Sequence, residues 1–267
     1  MPEGDVLRRT AALLDAALAG RRLVRAELRW PTMPTADLTG CTVLHTRPYG
    51  KHLLTRFDDG RTLHSHLRMD GVWRVVPTGS PRAAARSPRV RALLADEHST
   101  ALGIQLGMLD LVLTRQEHRL VAHLGPDILD DSFETGGLAE AQERWRARRR
   151  APVCDVLLDQ RVVAGIGTIY LAESLFAERV HPWTPADEVD AARVLRTART
   201  LMHRSVLRGP GPSKAHGREG LPCPRCGATI QRGTARRPPE ERPVFWCPVC
   251  QAPGGPSDRE GRFSRPV

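Results

Sequence analysis

The residues with the clearest chemical potential stand near the start of the chain. Met1 precedes Pro2, and removal of a methionine before a small residue would expose the secondary amine of proline. An α-amino group has a pKa of about 7.7–8.0, against about 10.4 for a lysine side chain, so more of it is unprotonated at neutral pH. Such an amine can attack a sugar carbon and form an imine, and Glu3 beside it could donate and accept protons. An ordinary frayed N-terminus is the alternative interpretation.

Four cysteines near the other end form two C-x2-C pairs, separated by 20 residues: Cys223, Cys226, Cys247 and Cys250. This spacing is typical of a zinc site with four thiolate ligands. Because such a site is coordinatively closed, one structural zinc ion is favoured over a catalytic or redox role. The arginines between the pairs, with Arg242 among them, would suit backbone phosphates at a hairpin tip, and a solvated charged loop is the alternative.

Two internal segments carry unusual residues. Lys51 is one of only two lysines in a chain that otherwise uses arginine, and it follows Gly50 at the start of a predicted strand. Met69 lies between Arg68 and Asp70 in a predicted exposed loop. An exposed methionine could fill the gap left when a base leaves the stack. Packing of this side chain into the core is the alternative.

Two further patterns have both a functional and a structural interpretation. His64 and His66 are two residues apart in a predicted strand and so face the same side. They could bind a metal, but packing or hydrogen bonding is favoured. The glycine-rich turn over 163–168, with Gly167 and Thr168 at its end, would expose backbone N–H groups at a helix start, where a phosphate binds well. A helix–turn–helix corner explains this turn equally well.

The composition narrows the class of partner. Lys and Arg total 40 against 30 acidic residues, which gives a net charge of +10 and a pI near 10.3. This charge attracts polyanions such as nucleic acid. The chain has no apolar run of about 18 residues that would span a membrane and no signal-peptide pattern at its start. Two cysteines outside the cluster, Cys41 and Cys154, fit a reducing compartment, so a soluble cytoplasmic protein is predicted.

The elements that must position these residues fall into two groups. Periodicity predicts a helix over 5–19, followed by seven short strands over 23–30, 42–46, 52–57, 62–67, 72–76, 90–95 and 109–114. Short strands with frequent turns favour an antiparallel sandwich or barrel. After a polar connection over 115–137, helices are predicted over 138–150, 153–159, 169–179 and 187–207, then a mobile loop over 208–222 and the zinc unit over 221–251.

Together, these motifs resemble the formamidopyrimidine-DNA glycosylase/endonuclease VIII family. The matching segments run in order over 2–4, 50–54, 64–71, 123–127, 157–160, 164–167 and 242–251, almost the whole chain. The resemblance implies an α+β fold: an N-terminal antiparallel β-sandwich with an N-terminal helix (1–118), a helix–two-turn–helix domain (119–209), a zinc finger (210–253) and a disordered tail (254–267). It also implies one structural zinc ion, no organic cofactor, and a nucleoid-associated monomer that acts on double-stranded DNA containing oxidised bases or abasic sites.

The resemblance also implies roles for individual residues. Pro2 would be the Schiff-base nucleophile at C1′ and Glu3 the proton donor and acceptor. Lys51 would contact a phosphate and assist β-elimination, and Arg242 would hold the flanking phosphates and assist δ-elimination. The residues expected to contact DNA are Arg68, Met69, His123, Gly167, Thr168 and Arg242.

Several departures bear on the substrate. The Asp-Pro-Arg-Arg-Phe-Gly run typical of members that excise 8-oxoguanine is absent, and residues 102–108 stand in its place, which favours oxidised pyrimidines. Met69, however, is similar to the purine-excising branch, which stays an alternative. Thr168 replaces the usual Asn, and His216 replaces the usual Tyr. The rivals from other classes are a non-catalytic zinc-finger DNA-binding protein and a zinc-dependent hydrolase, which would need an open metal position.

Overall fold

The computed structural model describes residues 2–33 and 36–252. The chain forms two compact units, one over Met1–His123 and the other from Leu124 onward. The tail predicted over 254–267 lies outside the described residues.

The first unit is an α+β sandwich, which confirms the predicted class. Its two four-stranded antiparallel sheets have the strand orders β1-β6-β7-β5 and β2-β3-β4-β8. The elements are α1 Gly4–Leu18, β1 Arg25–Leu28, β2 Val43–Tyr49, β3 His52–Phe57, β4 Arg61–His66, β5 Val72–Pro77, β6 Val90–Ala95, β7 Ser99–Ile104, β8 Met108–Leu113 and α2 His118–Val121.

The helix α1 is amphipathic and closes one side of this unit's core. Its buried residues Leu7, Leu14 and Leu18 recur at helical spacing and join one apolar cluster with strand residues such as Leu53 and Phe57. Burying an apolar side chain of this size contributes about 1.5–3 kcal/mol. This packing holds the start of the chain against the sheets, which is what any chemistry at Pro2 requires.

A cluster of charged side chains around Glu117 lies on the face of the β2-β3-β4-β8 sheet that is opposite the apolar core. Glu117, only 4% exposed, accepts hydrogen bonds from Arg56, Arg47 and Thr62. Burial alone would raise the pKa of Glu117, but the hydrogen bonds from Arg56 and Thr62 and the nearby guanidinium charges outweigh it, and the pKa lies below its usual value. The segment predicted as a plain connection after residue 115 is therefore anchored to the sheet.

Two differences between the observed and the predicted strands have a clear physical reason, while β1, β4, β5 and β8 shift by one or two residues at their ends. The strand β7 was not predicted, because its sequence, Ser-Thr-Ala-Leu-Gly-Ile, has weak alternation and includes alanine and glycine. It nevertheless pairs on both sides, with β6 and β5. The strand β2 runs to Tyr49, past the predicted end at 46 and through Pro48. A proline is tolerated there because β2 is an edge strand.

Over its described residues, 124–252, the second unit contains four α-helices and a hairpin: α3 Gly137–Arg146, α4 Val153–Leu158, α5 Thr168–Glu178, α6 Ala191–Arg208, β9 Gln231–Ala235 and β10 Arg242–Trp246. The helix α6 begins four residues later than predicted, because the Asp190 side chain accepts from the Arg193 N–H and caps it. One apolar core contains both helix residues, such as Leu171, and hairpin residues, such as Val244. Among the described residues, no helix is both long enough and apolar enough to cross a membrane.

Candidate functional site

The start of α1 fixes the two N-terminal candidates. Glu3 is the residue before the first helical turn, and its carbonyl accepts from the N–H groups of Val6 (2.9 Å) and Leu7 (3.2 Å). The Glu3 side chain is completely buried and does not cap the helix, and Pro2 directly before it is partly exposed. A secondary amine at residue 2 would therefore adjoin a carboxyl group that is shielded from water.

Lys51 lies in the two-residue turn that joins β2 to β3. Tyr49 pairs with His52 across this turn, and Gly50 has a φ of +56°. Glycine adopts a positive φ without steric cost, so it allows the tight turn that presents Lys51. The lysine is partly exposed and directly precedes β3, at the strand start where the sequence predicted it.

Met69 is 62% exposed in the turn that follows β4, so the core-packed alternative is wrong. The turn is tight at both ends: Arg68 has a φ of +51°, and a Cβ at Gly71 would lie 2.4 Å from the Leu67 carbonyl oxygen. A concave site of about 350 Å³ adjoins this turn, and residues 105–107 line its other side. This tight turn thus presents Met69 to solvent.

The connection between β7 and β8 is only three residues long, 105–107. It packs closely against the Met69 turn, since a Cβ at Gly107 would lie 2.4 Å from the Arg68 side chain. The segment that stands in place of the Asp-Pro-Arg-Arg-Phe-Gly run of the 8-oxoguanine-excising members is here a short connection between strands of different sheets. Most of the segment 102–108 belongs to the two flanking strands.

A group of four imidazoles, which we term the histidine cluster, lies near Lys51: His52, His64, His66 and His123. His52 Nδ1 is 2.8 Å from His64 Nε2, and His64 Nδ1 is 3.1 Å from an Asp110 carboxylate oxygen. The rings of His52 and His64 are stacked at 5.0 Å, and His66 and His123 approach His52 edge-on at 4.9 and 6.4 Å. The hydrogen-bonding interpretation of His64 and His66 is supported. The sequence did not indicate His52 and Asp110, because strand register brings them together.

Two imidazoles of the histidine cluster, His52 and His66, are neutral at pH 7. Burial lowers the pKa of His52 to about 3, with help from His66, His64, His123 and Lys51. Burial also lowers the pKa of His66 to about 4, again with His64 and the cations Lys51 and Arg68 nearby. Lys51 and Arg68 therefore supply the positive charge at this end of the sheet.

In the second unit, a glycine-rich turn leads into α5. The Gln160 amide donates to the carbonyl of Ile166 (2.8 Å) and accepts from the Gly165 N–H (3.0 Å). Gly165 has a φ of +107°, and Gly167 is the residue before the first helical turn, which no side chain caps. Thr168 opens α5 and is only 6% exposed. The turn therefore presents a helix N-terminus held in one conformation.

The two departures from the family pattern lie in contact. His216 Nε2 is 3.4 Å from Thr168 Oγ1, and the His216 ring packs edge-on against Phe245 at 5.1 Å. The Glu173 carboxylate accepts from the backbone N–H groups of residues 214–216 at 2.9–3.0 Å. Nothing in the sequence marked Glu173, whose partners are more than 40 residues away.

The four clustered cysteines can hold a metal ion. Their sulfurs lie within 4.8 Å of one another, with 3.9 Å between Cys223 and Cys250 and 3.4 Å between Cys226 and Cys247. A tetrahedral zinc ion with Zn–S bonds of about 2.3 Å places its sulfurs about 3.8 Å apart. The donor set and its spacing therefore fit one closed, structural zinc site.

Arg242 opens β10, opposite Ala235 of β9. It is partly exposed, and its guanidinium donates to the Glu241 carbonyl at 2.8 Å. The predicted site residues divide between the units: the first holds Pro2, Glu3, Lys51, Arg68, Met69 and His123, and the second holds Gly167, Thr168, Arg242 and the four cysteines.

Comparison with known proteins agrees with this architecture. Residues 1–105 match the formamidopyrimidine-DNA glycosylase N-terminal domain, and residues 124–215 match the formamidopyrimidine-DNA glycosylase H2TH domain. A solved Lactococcus lactis formamidopyrimidine DNA glycosylase, non-covalently bound to DNA containing an AP site, has a TM-score of 0.79. It is 23% identical, with 94% of this chain and 100% of that chain covered.

Closer relatives by sequence include three bacterial proteins. A Streptomyces coelicolor protein named probable endonuclease 8 2 is 41% identical, with 98% of this chain and 97% of that protein covered. A Mycolicibacterium smegmatis protein named DNA-(apurinic or apyrimidinic site) lyase Nei2 is 37% identical, with coverages of 94% and 99%. Escherichia coli endonuclease 8 is 34% identical, with coverages of 94% and 100%. The chain therefore belongs to the formamidopyrimidine-DNA glycosylase/endonuclease VIII family.

Proposed function

We propose that this protein is a base-excision-repair DNA glycosylase and AP lyase, which removes oxidised bases and nicks the resulting abasic site by β,δ-elimination. The observation that carries the proposal is the position of Pro2 directly before the buried Glu3 at the start of α1. The relatives support it, since one is named an AP lyase and others are named endonuclease 8.

The chemistry follows from these two groups. The Pro2 nitrogen forms a bond to C1′ as the bond to the damaged base breaks, and Glu3 supplies the proton that the leaving base needs. Transfer of a proton to the ring oxygen opens the sugar and leaves an iminium ion between the Pro2 nitrogen and C1′. Loss of a proton from C2′ then breaks the C3′–O bond, and loss of a proton from C4′ breaks the C5′–O bond in a second elimination; Glu3 is the group proposed to donate and accept these protons. Lys51 and Arg242 stabilise the negative phosphates that leave.

Both units contribute proposed DNA contacts. The N–H groups at the start of α5, from Gly167 and Thr168, suit a phosphate, and Arg68 and His123 are further contacts from the first unit. Exposed Met69 would fill the space of a flipped nucleotide. Rotating a nucleotide out of the duplex costs a few kcal/mol, and the cost is lowest at a damaged base. This difference favours binding at lesions over undamaged DNA.

We further propose one structural zinc ion on Cys223, Cys226, Cys247 and Cys250, and a monomer that works on nucleoid DNA in the cytoplasm. The three-part division into residues 1–118, 119–209 and 210–253 stays part of this proposal. When bound, zinc supplies a crosslink for the hairpin and no catalytic step, because all four of its positions are taken by sulfur.

Removal of zinc is expected to weaken DNA binding. Cys226→Ser takes one ligand from the cluster, so the protein should lose its zinc and bind a duplex with an abasic-site analogue at least about tenfold more weakly, since structural zinc sites contribute folding energy. Metal analysis and fluorescence anisotropy measure both effects. Cys41→Ser is the matched control, because Cys41 lies in the first unit. Full binding by metal-free protein would refute the role of zinc.

The lesion class is tested with duplexes that each carry one defined oxidised base. We expect nicking at oxidised pyrimidines in preference to 8-oxoguanine, because residues 102–108, with their short connection over 105–107, stand in place of the Asp-Pro-Arg-Arg-Phe-Gly run of the purine-excising branch. Preference for 8-oxoguanine would instead support the purine-directed alternative. A protein that binds every duplex and nicks none would be the non-catalytic zinc-finger DNA-binding protein.

A further inference from the structure

The hydrogen bonds of the histidine cluster have a fixed direction. The Asp110 carboxylate can only accept, so His64 Nδ1 carries the proton that is shared with it at 3.1 Å. A neutral His64 then has a lone pair at Nε2, and its 2.8 Å contact requires His52 Nδ1 to donate. A neutral His52 is left with a lone pair at Nε2. This hydrogen-bonded chain thus converts His52 into an acceptor.

The neighbouring ring has the opposite polarity. His66 Nδ1 accepts from the Arg68 backbone N–H at 2.9 Å, so the proton of a neutral His66 is on Nε2. Two adjacent imidazoles therefore offer one acceptor, on His52, and one donor, on His66. Without these hydrogen bonds, each neutral ring could carry its proton on either nitrogen. The same nitrogen would then be a donor in some molecules and an acceptor in others.

Burial, together with the charges around His52, keeps this ring neutral. Burial lowers the pKa of His52 and of His64, while the Asp110 carboxylate on β8 opposes the shift at His64. The cations that face the cluster are Lys51 from the β2–β3 turn and Arg68 from the turn after β4; Arg47, Arg56 and Glu117 lie farther along the sheet. A histidine whose pKa is lowered stays neutral at every pH above that lowered value.

We propose that Asp110, His64 and His52 position Lys51: His52 offers the Lys51 ammonium group a neutral acceptor and so holds it for a substrate phosphate. The proposal rests on the proposed function, since it concerns the part of Lys51 in strand cleavage. Lys51 directly precedes His52, in the tight turn that brings Tyr49 opposite His52, and His66 is the cross-strand partner of His52. All three residues therefore lie at the same end of the sheet, and the Lys51 charge is among the causes that lower the pKa of both rings.

The hydrogen-bonded residues Asp110, His64 and His52 orient the Lys51 ammonium group and do not conduct a proton. Full transfer of a proton from Lys51 through both rings to Asp110 would cross a pKa difference of about 6.5, the gap between a lysine and an aspartic acid. Such a transfer is disfavoured by a factor of about a million or more. The proton therefore stays on Lys51, and the three hydrogen-bonded residues determine only the position of the ammonium group.

Nitrogen NMR of the free protein tests the tautomers without any assay of activity. With ¹⁵N-labelled histidine at pH 7, we expect His52 and His64 to carry hydrogen on Nδ1 and His66 to carry it on Nε2. Single His→Gln variants assign the three signals. A His52 ring with its hydrogen on Nε2 would overturn the proposal, because it could not accept a hydrogen bond from Lys51 there.

A double-mutant cycle tests the coupling to Lys51. His52→Leu is expected to slow single-turnover nicking of a duplex with an abasic site by about tenfold in the wild-type background, but by less than about twofold when Lys51→Gln is present, since contacting residues are not additive. His52→Gln, which retains an acceptor near the position of Nε2, should recover most of the rate.

The upper pH limit of nicking should fall in His52→Leu, because the Lys51 ammonium group loses an acceptor that favours its charged form.

Controls separate this proposal from the function on which it rests. His98→Leu alters an exposed histidine of the same unit and should leave nicking unchanged. Equal slowing by His52→Leu in both backgrounds would refute the positioning of Lys51, even if nicking itself is normal. Absence of nicking by the wild-type protein would refute the proposed function instead, and the NMR result would still decide the tautomers.

Discussion

Replacement of Pro2 by glycine is expected to reduce borohydride-trapped protein–DNA adducts, and nicking of abasic DNA, by at least about a hundredfold. The variant loses the secondary amine of proline. It also loses the pyrrolidine ring, which restricts the backbone of residue 2 directly before Glu3 and α1. Single-turnover trapping on a duplex with one abasic site measures the effect.

The control for this variant is Pro88→Gly, a change of the same kind in an exposed turn of the first unit. It should trap and nick like the wild type. Intact mass adds a second check, because the proposed nucleophile requires that Met1 be absent. Normal nicking by a protein that retains Met1 would place the covalent chemistry on another group.

The second large effect is expected at Glu3. Glu3→Gln keeps the size of this buried side chain but removes the carboxyl group that can donate and accept a proton, so excision of an oxidised base should slow by about 10²–10⁴-fold, the usual contribution of a general acid. The factor by which Glu3→Gln slows cleavage at a preformed abasic site should be at least about tenfold smaller, because the base has already left. Gel assays on the two duplexes measure the two rates separately.

An exposed counterpart, Glu97→Gln, provides the matched control and should leave both rates unchanged. Thermal unfolding of each variant checks that the fold is retained, since Glu3 is buried. If base excision proceeds at the wild-type rate in Glu3→Gln, the proton must come from another group. Equal slowing of both rates would assign Glu3 to steps after base loss.

Local pattern was sufficient to predict much of the fold. The helix α1 was predicted within one residue at each end, and β3 and β6 have the predicted bounds, because their periodicity is strong. Errors occurred where tertiary contacts override weak local preference. The strand β7 is formed because two neighbours pair with it, and α6 begins where Asp190 provides the cap, not at Asp187.

The sequence by itself determined the residues with intrinsic chemistry: a potential proline amine beside a carboxyl group, and two cysteine pairs whose spacing is set within a few residues. Local spacing suffices there because the groups are neighbours along the chain. Only the tertiary structure decided which distant residues meet, as with Asp110, His64 and His52, or Thr168 and His216. Strand register and helix packing set these contacts, and a shift of one residue along a strand would turn each side chain to the opposite face.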